Sequence, residues 1–222
     1  MPQSNSENYK MNLKFWDTAW ARVTKPIHTP PDLNYVKEIV PELKGYSVHK
    51  VLDLACGSGW LSFMLAENGF SVTGVDVSPS AIKLAKRVHA EIFDNSLDVN
   101  FICHDILDMQ LDTADYDCVL INACLEHFNL NRVELLIDNL KKHLKPDGLI
   151  YGVFDLVAVS DKGEFVNFDD GTRQYLDPMR EGMYLRNYTD EEISRLFSAS
   201  GFQQISYKAV DNGSRVVVFR GV

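Results

Sequence analysis

Val51-Leu52-Asp53-Leu54-Ala55-Cys56-Gly57-Ser58-Gly59 decides how the rest of the chain is read. An apolar run carrying one carboxylate ends in two alternate glycines, and Trp60 to Glu67 then reads as a helix. Strand, glycine turn and helix is how an α/β sheet builds a nucleotide site. Glycines turn the backbone sharply and let a ligand approach it with no Cβ in the way. A dinucleotide fingerprint requires a third glycine, and that position holds Ser62. Asp53, at the mouth of the turn, would repel a pyrophosphate and attract a ligand with a cationic amino group.

Working outward, 222 residues with 45% hydrophobic content suffice for one good-sized core, so a single domain is expected. The net charge of -9, from 31 acids against 22 bases, disfavours sequence-independent nucleic-acid binding. No apolar run is long enough to span a bilayer and the first residues lack a signal pattern, so no membrane association and a cytoplasmic location are expected. Cys56, Cys103, Cys118 and Cys124 show no C-x-x-C spacing and read as free, buried thiols of a reducing compartment.

Residues 1 to about 10 read as a frayed polar end. Leu13, Trp16 and Trp20 then recur at helical spacing, either as core packing or as a lid over a ligand. The proline-rich loop Lys25 to Asp32 breaks that helix, and a second runs from Leu33 to Val40. Beyond it, strands Val48–Leu54, Ser71–Asp76, Val99–His104, Tyr116–Asn122 and Gly148–Asp155 alternate with helices Trp60–Asn68, Pro79–Phe93 and Asn131–Leu144. Continuous apolar strands between helices imply a parallel sheet covered on both faces. Lys145-Pro146-Asp147-Gly148 reads as the end of a helix and the launch of a strand. Gln203–Asp211 and Ser214–Arg220 flank Asn212-Gly213, a two-residue hairpin signal that adds an antiparallel pair.

Every strand ends in something polar, as a site at the carboxyl edge requires. Asp76, followed by Val77, could accept both ribose hydroxyls or simply favour the start of the helix at Pro79. Tyr116 to Asn122 runs through Ala123 and Cys124 into Leu125-Glu126-His127-Phe128, where Glu126 and His127 form an acid–base pair. The long segment from Leu156 to Thr189 is rich in aromatics and acids. A connection of this length suits a lid or binding loop. Its Tyr175, Tyr184 and Arg186, together with Trp16 and Trp20 of the first helix, are candidate contacts with a small-molecule acceptor, and covering of the sheet edge is the other reading of the segment.

The glycine turn with its acid, Asp76, Asp105, the Leu-Glu-His-Phe turn and Lys-Pro-Asp-Gly together resemble the class I S-adenosylmethionine-dependent methyltransferases, from about Val48 to Arg220. Ala55 departs from the motif, which there carries glycine most often. The resemblance implies a Rossmann-like α/β fold: a seven-stranded, mostly parallel sheet with an antiparallel last strand, helices on both faces and an N-terminal helical lid. It divides a single domain into that lid (1–45), a cofactor core (46–155), an acceptor-site insertion (156–189) and a last helix with hairpin (190–222). S-adenosylmethionine, with S-adenosylhomocysteine as product, becomes the expected cofactor, its ammonium suited to Asp53. Asp53, Ala55, Cys56, Gly57 and Gly59 would hold its methionine part, Asp76 and Val77 its ribose, Asp105 and Ile106 its adenine. Asn122 and Ala123 would lie near the transferring methyl. His127, with Glu126, is the candidate base, or else a structural hydrogen-bonding group. Some relatives bind a metal through a carboxylate where this chain has Ala123, so no metal is expected. The function implied is methylation of a small molecule at O or N. A tRNA or protein methyltransferase, a non-catalytic cofactor-binding subunit and an NAD-dependent oxidoreductase are the alternatives. Acceptor identity and oligomeric state stay open.

Overall fold

Lys50–Leu54 (β1) lies inside a seven-stranded sheet, and its side chains alternate strictly between two cores. Leu52 and Leu54 join one cluster and Val51 the other, the period of two that a strand buried on both faces requires. The computed structural model describes residues 7–25, 27–111, 115–157, 159–210 and 212–222. Ser71–Asp76 (β2), Val99–Cys103 (β3), Tyr116–Asn122 (β4) and Leu144–Phe154 (β5) complete the parallel part, with Phe202–Ala209 (β9) and Arg215–Gly221 (β10) at one edge. The order is β3-β2-β1-β4-β5-β10-β9, and β10 runs antiparallel to both neighbours. This is the expected sheet, with the last strand inserted beside the fifth.

Helices cover both faces. Asn34–Gly45 (α2), Trp60–Glu67 (α3) and Pro79–Glu91 (α4) pack on the Val51 face. Glu7–Ala21 (α1), Leu130–Leu140 (α5) and Asp190–Ala199 (α6) pack on the Leu52 face. Ser78 caps α4 by accepting from Ala81 N–H at 3.1 Å, and Pro79 occupies the first helical position. Within residues 1–45, α1 crosses the strand ends while α2 is an ordinary core helix. Tyr9 is fully buried and α1 begins at Glu7, so residues 7–10, expected to be frayed, are helical; residues 1–6 lie outside the described residues.

Several boundaries depart from the sequence expectation, α2 among them, which continues through Pro41 to Gly45 rather than ending at Val40. Lys145 to Gly148 belongs to β5, as a bulge that sets Leu144 opposite Tyr116 but Leu149 opposite Cys118; Asp147 turns it with φ 60°. The preceding helix ends at Leu140. The β9–β10 hairpin closes over residues 211–213, since Val210 N–H donates to Ser214 O at 2.8 Å, and Gly213 carries the positive φ of 85°. The loop therefore has three residues rather than two; Asp211, expected to end β9, lies outside the described residues. Phe165–Asn167 (β6), Arg173–Tyr175 (β7) and Tyr184–Leu185 (β8) form a small antiparallel sheet inside the long insertion. Of the cysteines, Cys56, Cys118 and Cys124 are buried and Cys103 is exposed, at the end of β3. All four are free thiols.

The sheet is packed tightly below the glycine turn. A Cβ on Gly74 would lie 2.9 Å from Phe101 Cδ1 and 3.0 Å from Cys56 Sγ, with no open space to receive it. Gly74→Ala is therefore expected to lower stability by about 1–3 kcal/mol, as overpacking does. Urea unfolding of the two proteins measures it; an unchanged midpoint would mean that the site relaxes freely.

Candidate active site

Side chains at the carboxyl ends of β1 to β4 converge on a cavity of about 170 Å³, where the chain order reverses about β1. Its floor is Ala55, Asp76, Val77, Asp105, Ile106, Ala123, Cys124, His127 and Phe128, and its roof is α1 through Tyr9, Asn12, Leu13, Trp16 and Trp20. Ala55 and Ala123 both adopt positive φ, 53° and 47°, at the ends of β1 and β4. Non-glycine residues in that region are strained and concentrate at functional sites.

Asp76 is buried, and its carboxylate braces two turns. Oδ2 accepts from Gly57 N–H at 2.9 Å and Oδ1 from Ser78 N–H at 2.8 Å. Burial pushes its pKa up, opposed by these two N–H groups. Asp105 accepts from Leu107 N–H at 3.0 Å, and Tyr9 Oη reaches both its oxygens, at 2.9 and 3.0 Å. Burial raises its pKa against those bonds.

The turn after β4 is held at each carbonyl. Tyr188 Oη donates to Leu125 O at 3.0 Å, Arg186 N–H to Glu126 O at 2.9 Å, and Asn12 Nδ2 to His127 O at 3.1 Å. His127 Nδ1 lies 3.1 Å from Tyr184 O. A carbonyl only accepts, so Nδ1 carries the hydrogen and, in the neutral ring, Nε2 carries the lone pair. Burial lowers the pKa of His127, favouring that neutral form, and Trp16 meets the ring edge-on at 4.4 Å between centroids.

Other expected site residues stand elsewhere. Asp53 falls with Val51 on the α3 face of β1 and accepts from Ser62 Oγ at 2.5 Å, rather than facing the cavity. The charge selection inferred from its position at the turn therefore has no direct route to a ligand in the cavity. Cys56, Gly57, Gly59 and Asn122 lie behind the cavity wall, and a Cβ on Gly57 would come 2.5 Å from Trp20 Cζ2. Asn122 Oδ1 is buried with no hydrogen-bond partner among the described residues. Glu126 does not pair with His127: its Oε1 accepts from Asp155 N–H at 2.6 Å, away from the cavity. Tyr175 is fully buried, bonded through Oη to Ser160 O at 3.0 Å, and Arg186 pairs with Glu192, so neither lines the cavity. Tyr184 contributes its backbone, its ring packing on Phe168. Tyr9 and Asn12 were not foreseen. Tyr9 sits four residues before Leu13 and Asn12 four before Trp16, and a polar residue beside that stripe was the available signal. Among the described residues no three His, Cys, Asp or Glu side chains are grouped to hold a metal, and no helix is long and apolar enough to cross a membrane.

Two buried carboxyls make stability depend on pH. Burial raises Asp53 to about 7 and Glu126 to about 8. A raised folded-state pKa means that the folded chain retains a proton which the unfolded chain releases, so the stabilisation is complete below the unfolded pKa and is lost as pH rises through the folded one. Thermal stability should fall from about pH 5 to about pH 8, and Asp53→Asn or Glu126→Gln should each flatten that fall. Melting curves across this range check it; an unchanged slope in both variants would remove these carboxyls as its source.

Residues 51–148 match a family model described as a methyltransferase domain. A ubiquinone biosynthesis O-methyltransferase of Coxiella burnetii is 37% identical over 129 residues, covering 57% of this chain and 51% of that one. One of the same name from Actinobacillus pleuropneumoniae is 34% identical, covering 64% of this chain and 59% of that protein. The chain thus matches between half and three-fifths of the length of these curated relatives. Among solved structures, magnesium protoporphyrin IX methyltransferase of Synechocystis with bound S-adenosylmethionine superposes with a TM-score of 0.69 at 15% identity, covering 95% of this chain and 97% of that one. A Burkholderia thailandensis 1,6-didemethyltoxoflavin N1-methyltransferase, bound to S-adenosylhomocysteine, gives 0.63 at 21% identity, covering 86% and 80%. With the sheet order and the turn after β1, these matches make residues 51–148 similar to methyltransferase domains, on a fold shared with S-adenosylmethionine-dependent methyltransferases.

Proposed function

We propose that this chain transfers a methyl group from S-adenosylmethionine to a hydroxyl of a small aromatic acceptor. The observation that carries the reading is the convergence of Asp76, Asp105 and His127 on a mainly apolar cavity at the ends of β1 to β4. The residues fit the cofactor. Asp76 spends one bond per carboxylate oxygen on backbone N–H groups, which leaves lone pairs for the two ribose hydroxyls. Asp105 would accept from the adenine amino group, and Val77 and Ile106 supply apolar walls beside the base. Ala55 and Ala123 bring backbone close to the ligand. Asp53 would act through Ser62 on the shape of the glycine turn.

When bound, S-adenosylmethionine supplies a methyl carbon made electrophilic by its sulfonium. The chain's own share is alignment, exclusion of water and removal of one proton. Trp16, Leu13 and Phe128 make the reaction end apolar, which strengthens charge effects and keeps water from competing. His127 Nε2, with its lone pair free, would take the proton of the acceptor hydroxyl. Hydroxyls of phenol type have pKa values near 10, so a base helps. The name carried by the curated relatives supports an oxygen acceptor, and the wall of Trp16 and Phe128 suits a flat ring.

A cavity of about 170 Å³ is smaller than the several hundred Å³ of usual ligand sites, because α1 fills the mouth. Tyr9 on Asp105 and Trp20 over Gly57 must give way for the cofactor to enter, so α1 acts as a lid.

Calorimetric titration with S-adenosylhomocysteine should show micromolar binding, and none with NADH. Asp76→Ala should weaken it by about one to two orders of magnitude through loss of charge-assisted bonds; equal affinity would remove Asp76 from the ribose. With catechol as acceptor and labelled methyl donor, His127→Ala should lower kcat by about a hundredfold or more while S-adenosylhomocysteine affinity stays near wild type. Wild-type turnover by that variant would leave His127 a purely structural role.

A further inference from the structure

We infer that Asn12 is a positioning residue, carried by the lid, that selects the tautomer of His127; this rests on the reading of His127 as the base. Asn12 is 1% exposed, on the α1 face turned to the cavity. Its Nδ2 donates to His127 O at 3.1 Å and its Oδ1 accepts from Tyr184 N–H at 3.1 Å. Only one orientation of the amide satisfies a carbonyl and an N–H together, so its placement is unambiguous. The Tyr184 carbonyl in turn takes the Nδ1 hydrogen at 3.1 Å. Three residues from three separate elements thus close a ring of hydrogen bonds: α1 supplies the amide, the turn after β4 the imidazole, and β8 the peptide group.

The ring has a chemical consequence. The 3₁₀ turn Leu125–His127 and the two-residue β8 belong to irregular parts of the fold. Without Asn12, His127 O and Tyr184 N–H lose a buried partner each, and the two segments keep only the His127 Nδ1 bond itself and, one peptide away, Arg186 N–H on Glu126 O at 2.9 Å. The imidazole would then sample both tautomers, and in one of them Nε2–H points into the cavity and cannot accept a proton. Docking of α1 therefore does two things at once: it excludes water, and it readies Nε2.

The other contacts of α1 show that its seat is specific. Asp17 accepts from Ser78 Oγ at 2.6 Å and Ser80 N–H at 3.0 Å, at the start of α4. Gln174 Nε2 donates to Asn8 O at 2.9 Å, tying the insertion to the same helix. Asn12 lies between these anchors, so removing its amide leaves α1 held at both ends.

Long-range proton–nitrogen NMR of the His127 ring distinguishes the tautomers directly, without an acceptor. The wild-type protein with S-adenosylhomocysteine should show a protonated Nδ1 and an unprotonated Nε2. Asn12→Leu should move the ring to a mixture, lower kcat for catechol by about tenfold or more, and leave S-adenosylhomocysteine affinity within about threefold. Should that variant fail to fold, the isosteric Asn12→Asp, which sets an acceptor against the His127 carbonyl, is read the same way. A wild-type ring protonated at Nε2, or a variant with the wild-type tautomer and rate, would overturn the inference. Wild-type turnover in His127→Ala would instead sink the base assignment, and the NMR result would still decide whether Asn12 sets the tautomer.

Discussion

The carboxylate of Asp76 is the tie on which the site depends. With one oxygen on Gly57 N–H and the other on Ser78 N–H, it locks the turn after β1 to the turn after β2. Each turn begins a helix, α3 or α4, so one side chain fixes the spacing of two strand–helix units at the mouth of the sheet. The arrangement satisfies N–H groups that a helix start or a tight turn would otherwise leave unpaired. It also costs something, because a buried carboxylate is desolvated, as its raised pKa reflects. A group so placed is rigid before any ligand arrives, which suits the ribose-holding role proposed for it.

Much of this was legible because strands and glycine turns obey short-range rules. Ser71–Asp76 and Tyr116–Asn122 have the expected boundaries, since each is an apolar run closed by a polar residue. The inserted last strand followed from the resemblance, and the turn at Asn212-Gly213 marked its hairpin but not its loop length. What went astray was direction. Asp53 stands at the turn in sequence, yet the same alternation that buries Val51 sends its side chain to α3, where Ser62 meets it. Parity within the strand outweighs proximity along the chain. Glu126 and His127 are neighbours in sequence, but on a 3₁₀ turn they diverge, one to Asp155 N–H and the other to the cavity. Tyr175 and Arg186 drew attention as aromatic and cationic groups in a long loop; the small sheet β6–β8 gave them internal partners instead.

Asn12 escaped notice for a different reason. Reading the helix by its apolar stripe selects Leu13, Trp16 and Trp20 and discards the polar residue among them. Yet a polar side chain on a buried stripe has to find partners, since an unpaired amide in the interior costs about 1–3 kcal/mol. Those partners are distant in sequence: Asn12 is separated from His127 by 115 residues and from Tyr184 by 172. No local pattern can foresee such a ring, although the misfit residue marks where to look.

The seat of α1 follows from the same economy of buried polar groups. Tyr9 Oη finds Asp105, Asn12 finds His127 and Tyr184, and Asp17 finds the start of α4. Each of these partners belongs to the cavity or lies directly beside it. A helix that satisfied its polar side chains with water could drift from the site at little cost; this one leaves Asp105 with one bond fewer and the His127–Tyr184 pair untied when it lifts. The site is therefore complete only with α1 in place, while its cavity is too small for a nucleoside cofactor until α1 shifts. Under the proposed function, those two demands are met by a helix that opens to admit the cofactor and reseats before proton transfer. Of its polar anchors, Tyr9 alone bonds to a carboxylate that the adenine would claim, so Tyr9 must yield on reseating while Asn12 and Asp17 can return to the same partners.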